Sequence, residues 1–281
     1  CSPRLNLKWS FTPSLIVRLG YGNGFRVVNV FTEDHAALTG ARELVFSEDL
    51  DPEKSNNINF NVVKRWKNNF INYEFESSLF YTRFSNKIIP DLLSNDNQII
   101  YGNLNGYGIS RGATIEMRMS FKIPLSINLN ATLLDVTNYT IDEFNEWDRQ
   151  TQLYAEKYSV KWTCSYRFPK SLISLDYTGT LYGPMRLPLL ENDFRSEYST
   201  PFSIQNIKIS RDIGSKFNGY FGVRNLLDFT PPSYSILRSH DPFDQNINDP
   251  VDNPFQYTFD ASYMYASFQG INFFVGGVFT F

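Results

Sequence analysis

The chain has 281 residues, with 26 Lys and Arg against 29 Asp and Glu and a formal net charge of −3, which gives it no basic footprint for nucleic acid. It contains no run of about 18 apolar residues, so it offers no membrane-spanning helix; barrel strands stay open, because they show lipid only alternate residues. Its two cysteines, Cys1 and Cys164, are too far apart to build a disulfide framework. Aromatic residues reach 16%, with 25 Phe and 17 Tyr, and both types favour strands.

Period-two alternation runs through most of the sequence. The first strand is expected over 3–10, in "PRLNLKWS", and the second over 14–21. A lipoprotein's N-terminal cysteine leads into a polar tether, whereas here a strand pattern starts almost at once. Cys1 is therefore read as the point where this chain was cut or begins, with any signal peptide removed or lying upstream. "GYGNGF" (Gly20, Gly22, Gly24) resembles a nucleotide loop only superficially, since no helix follows and the spacing is wrong. A long connection, 22–53, carries His35, and strands are expected at 54–64 and 69–84.

After a second long connection come strands at 107–121 and 124–136. In the first, Ile115, Met117, Met119 and Phe121 alternate with Glu116, Arg118 and Ser120; in the second, Leu125, Ile127, Leu129, Ala131 and Leu133 alternate with polar residues. "TIDEFNEWDRQTQLYAE" is the best helical candidate, a short turn of helix within a loop. Strands follow at 155–168 and 170–182. In the first of these, Trp162, Cys164 and Tyr166 share one face and Lys161, Thr163, Ser165 and Arg167 the other. The last three strands are expected at 201–211, 216–226 and 271–281, making eleven, with boundaries uncertain by about 2–4 residues.

The connections alternate strictly between short and long. The long ones are 22–53, 85–106, 137–154, 183–200 and 227–270. Outer-membrane barrels have this asymmetry, with short periplasmic turns and longer extracellular loops. The expected fold is all-β: a transmembrane antiparallel up-and-down β-barrel in the outer membrane of a Gram-negative bacterium, 1–281 forming one portion of it. Phe273, Val275, Phe279 and Phe281 then look at lipid. A soluble β protein with one wet face per sheet explains the alternation but not the loop asymmetry.

Individual motifs weigh little. Asp241, Asp244, Asn246 and Asp249 in "DPFDQNINDPVDN" offer oxygen ligands suited to Ca²⁺, but the EF-hand pattern fails, and an Asx- and Pro-rich surface loop is the plainer account. His35 and His240, the only histidines, fall in long connections, where ligand contact competes with simple solvation. No zinc spacing and no nucleophile elbow occurs, so neither a resident metal, a cofactor nor an enzyme activity is expected. Glu116, Arg118 and Asp176 belong to a polar lumen face.

Three stretches resemble TonB-dependent outer-membrane receptors: "SPRLNLKWSFTPSLIVRLGYGNGFRVVNVFTE" a mid-barrel region, "FGVRNLLDFTPP" the penultimate strand, and "GINFFVGGVFTF" the terminal strand. The likeness is greatest to Bacteroidota receptors for siderophores, cobalamin or metal complexes. It implies a barrel of about 22 strands of which this chain is the second half, the plug lying elsewhere. It also implies a missing barrel half and plug as partners, TonB reached through that plug, the barrel-assembly machinery reading the terminal strand, and outer-membrane lipid around it. Glycine-rich "YGNGFR" becomes a strand exit, with Arg26 on the rim or lumen near ligand. Within the family the alternative is a glycan or peptide importer with a surface lipoprotein; outside it, a barrel enzyme or a structural barrel.

Overall fold

The computed structural model describes residues 2–27, 42–95, 98–141, 144–189, 195–236, 250–251 and 261–280. One antiparallel sheet dominates them. Its path runs through β1 (Arg4–Thr12), β2 (Leu15–Arg26), β4 (Glu53–Lys67), β5 (Ile71–Ser85), β8 (Gly106–Phe121), β9 (Leu125–Ile141), β11 (Tyr158–Phe168), β12 (Ile173–Tyr182), β13 (Phe202–Ile213), β14 (Phe217–Arg224) and β15 (Asn272–Phe279). Each strand pairs with its neighbours along the chain, and β1 and β15 are the sheet's two open edges. These are the eleven strands expected. Among the described residues no helix is long and apolar enough to cross a membrane.

Up-and-down order puts all the tight turns at one end and all the long connections at the other. At the tight end Asn68 Oδ1 accepts the N–H groups of Phe70 and Ile71 at 2.8 Å each, closing the β4–β5 turn. Gly214, at φ 67°, turns β13 into β14 in a region that favours glycine.

The register divides the wall into two chemically distinct faces. On one, Ile127, Cys164, Tyr177, Ile207, Val223 and Phe273 form a continuous row across β9 to β15. On the other, Ser165 Oγ donates to Asp176 Oδ1 at 2.7 Å, Lys208 lies 3.5 Å from Asp176, and Arg118 bridges Glu74 and Glu116 at 2.6 Å each. Trp162, Cys164 and Tyr166 thus lie on the apolar face and Ser165 and Arg167 on the polar one. The apolar side chains have little protein to cover them, Val275 being 82% exposed. Lipid is the solvent that suits such a face.

Trp162 folds its indole over Gly179, its cross-strand partner on β12. A Cβ at Gly179 would lie 2.1 Å from the ring. Gly179→Val is therefore expected to expel Trp162 from this seat and to destabilise the barrel by about 1–3 kcal/mol through overpacking. Chemical unfolding followed by Trp fluorescence in lipid vesicles checks it; an unchanged midpoint would show that the seat contributes nothing.

Several expectations need correction. The second strand does not leave the sheet at the glycines: β2 continues to Arg26, paired with β4 throughout. Gly20, Gly22 and Gly24 all fall on the polar face, where a Cβ at Gly20 would sit 2.7 Å from Asn59 Oδ1 and one at Gly24 3.0 Å from Ser55 Oγ. Bare backbone there makes room for the neighbouring side chains. The helical candidate is a strand, β10 (Trp147–Thr151), which pairs with the upper part of β9. An available row of backbone donors and acceptors on β9 outweighs weak helical periodicity. β10 and β11 occupy the same edge of β9 in succession. Gln152 N–H still bonds Val136 O and Leu134 N–H bonds Lys157 O, and residues 153–156 bulge out between.

Three further strands were not expected. β3 (Glu43–Phe46), β6 (Ile88–Asp91) and β7 (Gln98–Asn103) form a small sheet in order β3-β7-β6 at the long-connection end. Its core is Leu92, Ile99 and Tyr101, packed with Leu44, Leu50, Ile88 and Leu153.

Candidate functional site at the loop end

The polar face changes character where β2, β4 and β5 reach the long connections. Arg26 on β2 stands opposite Glu53, the first residue of β4. Arg26 Nε and Nη2 donate to Glu53 Oε2 at 2.8 and 2.5 Å, and Glu53 Oε1 accepts the Ile88 N–H at 2.9 Å. One carboxylate therefore ties the top of the wall to the first residue of β6. Lys87, just before β6, reaches across to Asn138 Oδ1 at 2.8 Å and to Gln152 Oε1. Burial brings the Lys87 ammonium down to about 8 from 10.5; Glu53 partly offsets this and Arg26 adds to it.

Above this cluster the loops hold one another. Arg42 is 6% exposed and donates to Leu92 O at 2.7 Å and to Tyr263 Oη at 3.0 Å. Arg195 lies 3.9 Å from the centroid of the Tyr263 ring. Tyr154 Oη donates to the Ser262 carbonyl. Five connections that are distant in sequence are thus joined around one tyrosine and its neighbours. Burial pushes the Asp91 carboxyl up, but the Ser94 hydroxyl and the N–H groups of Leu93 and Ser94 outweigh it and hold the group below its usual range.

Two spaces open between wall and loops. One, of about 510 Å³, is lined by Arg26, Glu53, Ser55, Phe84, Lys87 and Gln152. The other, of about 940 Å³, continues from Arg26 and Lys87 past Asp91 and Tyr154 to Arg186 and Met264. Their size suits a small organic ligand, and cations joined to aromatic and apolar surface suit an anionic one. Among the described residues no group of three or more His, Cys, Asp or Glu could hold a metal ion.

Of the residues singled out from the sequence, Arg26 lines both spaces. Cys1, His35, His240, Asp241, Asp244, Asn246, Asp249 and Phe281 lie outside the described residues. Phe273, Val275 and Phe279 lie on the apolar face of β15, far from these spaces in role and chemistry. Glu53, Lys87, Arg42 and Gln152 were missed. Their partners are 27 to 221 residues away, and no local pattern announces such contacts.

Residues 2–226 match the family model described as TonB dependent receptor-like, beta-barrel. Among curated proteins, none matches this chain. Solved structures resemble it in fold. One is a point variant of the ferric enterobactin receptor PfeA from Pseudomonas aeruginosa in complex with enterobactin, at TM-score 0.63 and 16% identity, over 100% of this chain and 40% of that one. Another is the ferric-catecholate import receptor Fiu from E. coli K12, at TM-score 0.60 and 11% identity, over 98% and 34%. A third is the FrpB iron transporter from Neisseria meningitidis, at TM-score 0.57 and 10% identity, over 81% and 35%. The chain spans about a third to two-fifths of the length of these structures.

Proposed function

This chain belongs to the TonB-dependent receptor-like β-barrel family of Gram-negative outer membranes, and from that premise we propose that it supplies wall and loops to a receptor importing a scarce anionic metal chelate. The family is one of transporters rather than enzymes. In this proposal the remaining strands and a plug come from outside this chain, TonB acts through that plug, and the transported solute is a siderophore or similar complex, as in Bacteroidota receptors. The observation that carries the reading is the convergence of Arg26, Lys87 and Arg186 on spaces of ligand size beneath interlocked loops. The siderophore receptors of like fold lend it direction, at identities that speak for fold alone. On β15, the outward Phe273, Val275 and Phe279 support a role for the terminal strand as an assembly signal.

Deleting the gene in its host and measuring uptake of radio-iron chelates, labelled cobalamin, oligosaccharides and peptides tests this. The expected result is loss of one anionic chelate's uptake, and a protonophore should abolish the same uptake in the parent. Loss of oligosaccharide or peptide uptake instead would overturn the proposal in favour of a nutrient importer with a lipoprotein partner.

Lys87 adds a pH signature. Its folded pKa lies below the 10.5 of the free side chain, so its charge is present below about pH 8 and lost above it. Affinity of the full-length receptor for an anionic chelate should therefore fall as pH rises through about 8, and Lys87→Met should flatten that step. The linked effect on folding has the opposite slope. Between about 8 and 10.5 the unfolded chain binds more protons, so stability rises with pH. An affinity step that survives in Lys87→Met would assign it to another group.

A further inference from the structure

We propose that the apolar face of the wall, where β5, β8, β9 and β10 meet near the loop end, binds the phosphorylated headgroup of an anionic glycolipid of the outer leaflet. The argument starts from where apolar residues stop. On β9 the lipid-facing positions Leu125, Ile127, Leu129, Ala131 and Leu133 are unbroken, and Asp135 follows. On β8 the same face runs Phe121, Met119, Met117, Ile115 and Ala113, and then Arg111. On β5 it runs Tyr73, Phe75, Ser77, Leu79 and Tyr81, and then Arg83. Each run matches the roughly 9–11 residues a tilted strand needs to cross hydrocarbon. The first charges on all three strands therefore arrive together, at headgroup depth.

These charges form one constellation. Arg111 Nε and Nη2 donate to Asp135 Oδ2 at 3.0 and 2.8 Å. Arg149 on β10 brings Nη2 to 3.8 Å from the same oxygen. Thr137 Oγ1 donates to Asp135 Oδ1 at 2.8 Å, fixing the carboxylate between them. Arg83 stands diagonal to Arg111 across β5 and β8, since Tyr81 is Arg111's direct partner. Its guanidinium lies 4.4 Å from the centroid of Tyr107, which stacks on Tyr139 at 4.9 Å and meets Trp147 edge-on at 5.4 Å. Three guanidinium groups thus face one carboxylate inside an aromatic girdle.

Charge on a lipid-facing surface is costly unless a counter-charge is there. Arg83 meets no carboxylate among the described residues, and Arg111 and Arg149 share a single one. Guanidinium offers forked donors that match phosphate oxygens, and the girdle marks the depth at which headgroup phosphates lie. The outer leaflet thus supplies the missing anion. This site is on the opposite face from Arg26 and Lys87, so it does not depend on the transported solute.

The test uses the full-length receptor purified in detergent and a fluorescent lipid A as probe. Wild type should bind lipid A, bind its enzymatically dephosphorylated form far more weakly, and release neither to millimolar inorganic phosphate. The double variant Arg83→Gln, Arg149→Gln leaves the Arg111–Asp135 pair in place and should weaken lipid A binding about tenfold or more. Lys64→Gln, on the same face near the tight-turn end, should change nothing. Heat-modifiable gel mobility shows that each variant is a folded barrel, and the comparison of phosphorylated with dephosphorylated lipid needs no variant. Equal binding of the two lipid forms, or equal binding by wild type and double variant, would overturn the proposal. Displacement by inorganic phosphate would overturn it in favour of a free-anion site.

Discussion

Cys164→Arg should lower the stability of the assembled barrel by about 2–4 kcal/mol, while Ser165→Arg, one residue on, should cost less than about 1 kcal/mol. Cys164 is the middle of five lipid-facing positions on β11, from Val160 to Phe168, and its row neighbours are Ile127 and Tyr177. A guanidinium there has no carboxylate within reach and no water. At position 165 the new side chain would enter the polar face beside Asp176, which already accepts from the Ser165 hydroxyl. Urea unfolding of the full-length protein in lipid vesicles measures both. Equal losses, or the reverse order, would mean that the two faces of β11 have been exchanged, since one residue of slip swaps them.

Ile99→Ala should unfold the loop sheet and spare the wall. Ile99 is 1% exposed in the core of β3, β6 and β7, opposite Leu44 in the parallel β3–β7 pair. Truncating a fully buried isoleucine costs about 2–5 kcal/mol. A three-stranded sheet with three buried core residues has little stability in reserve beyond that. Limited proteolysis should cut within residues 42–52 or 86–105 in the variant and not in the parent, leaving β4 and β5 intact, with barrel mobility on unboiled gels unchanged. Affinity for the proposed chelate should fall with it, because Asp91 and the Arg42–Leu92 bond belong to the same unit. Protection equal to the parent's would show that the loops are held by the barrel alone.

The wall was legible because a membrane barrel imposes one rule on every strand. Leu125 to Leu133 and Val160 to Phe168 meet lipid on alternate residues, and the serines, asparagines and charges between them meet water. No such rule reaches the loop strands. "ELVF" and "IIPD" are too short to show a period, and Pro90 argues against a strand. "WDRQT" has no apolar alternation; it is a strand because β9 is long enough to hold it. Arg26 could be placed near the mouth through the resemblance of "YGNGFR" to a strand exit, although β2 runs on to Arg26 itself. Its partner Glu53 could not, because the pairing depends on the register in which β4 returns. The Lys87 contacts to Asn138 and Gln152 follow from no pattern at all, since they join separate connections.

β9 shares one edge between two tenants, β10 and β11, with residues 153–156 free of both. Zipping is therefore interrupted at that point, and the two segments need not open together. β11 is locked between β9 and β12, so its amide protons should exchange with solvent only when the barrel itself comes apart. β10 pairs with β9 alone over five residues, and its amides should exchange through a local opening that leaves β11 in place. Gln152, which holds Lys87, sits at the seam. A solute that grips Lys87 or Gln152 would have to close this flap to bind, and its presence would be recorded as slowed exchange along Trp147–Thr151 with no change along Tyr158–Phe168.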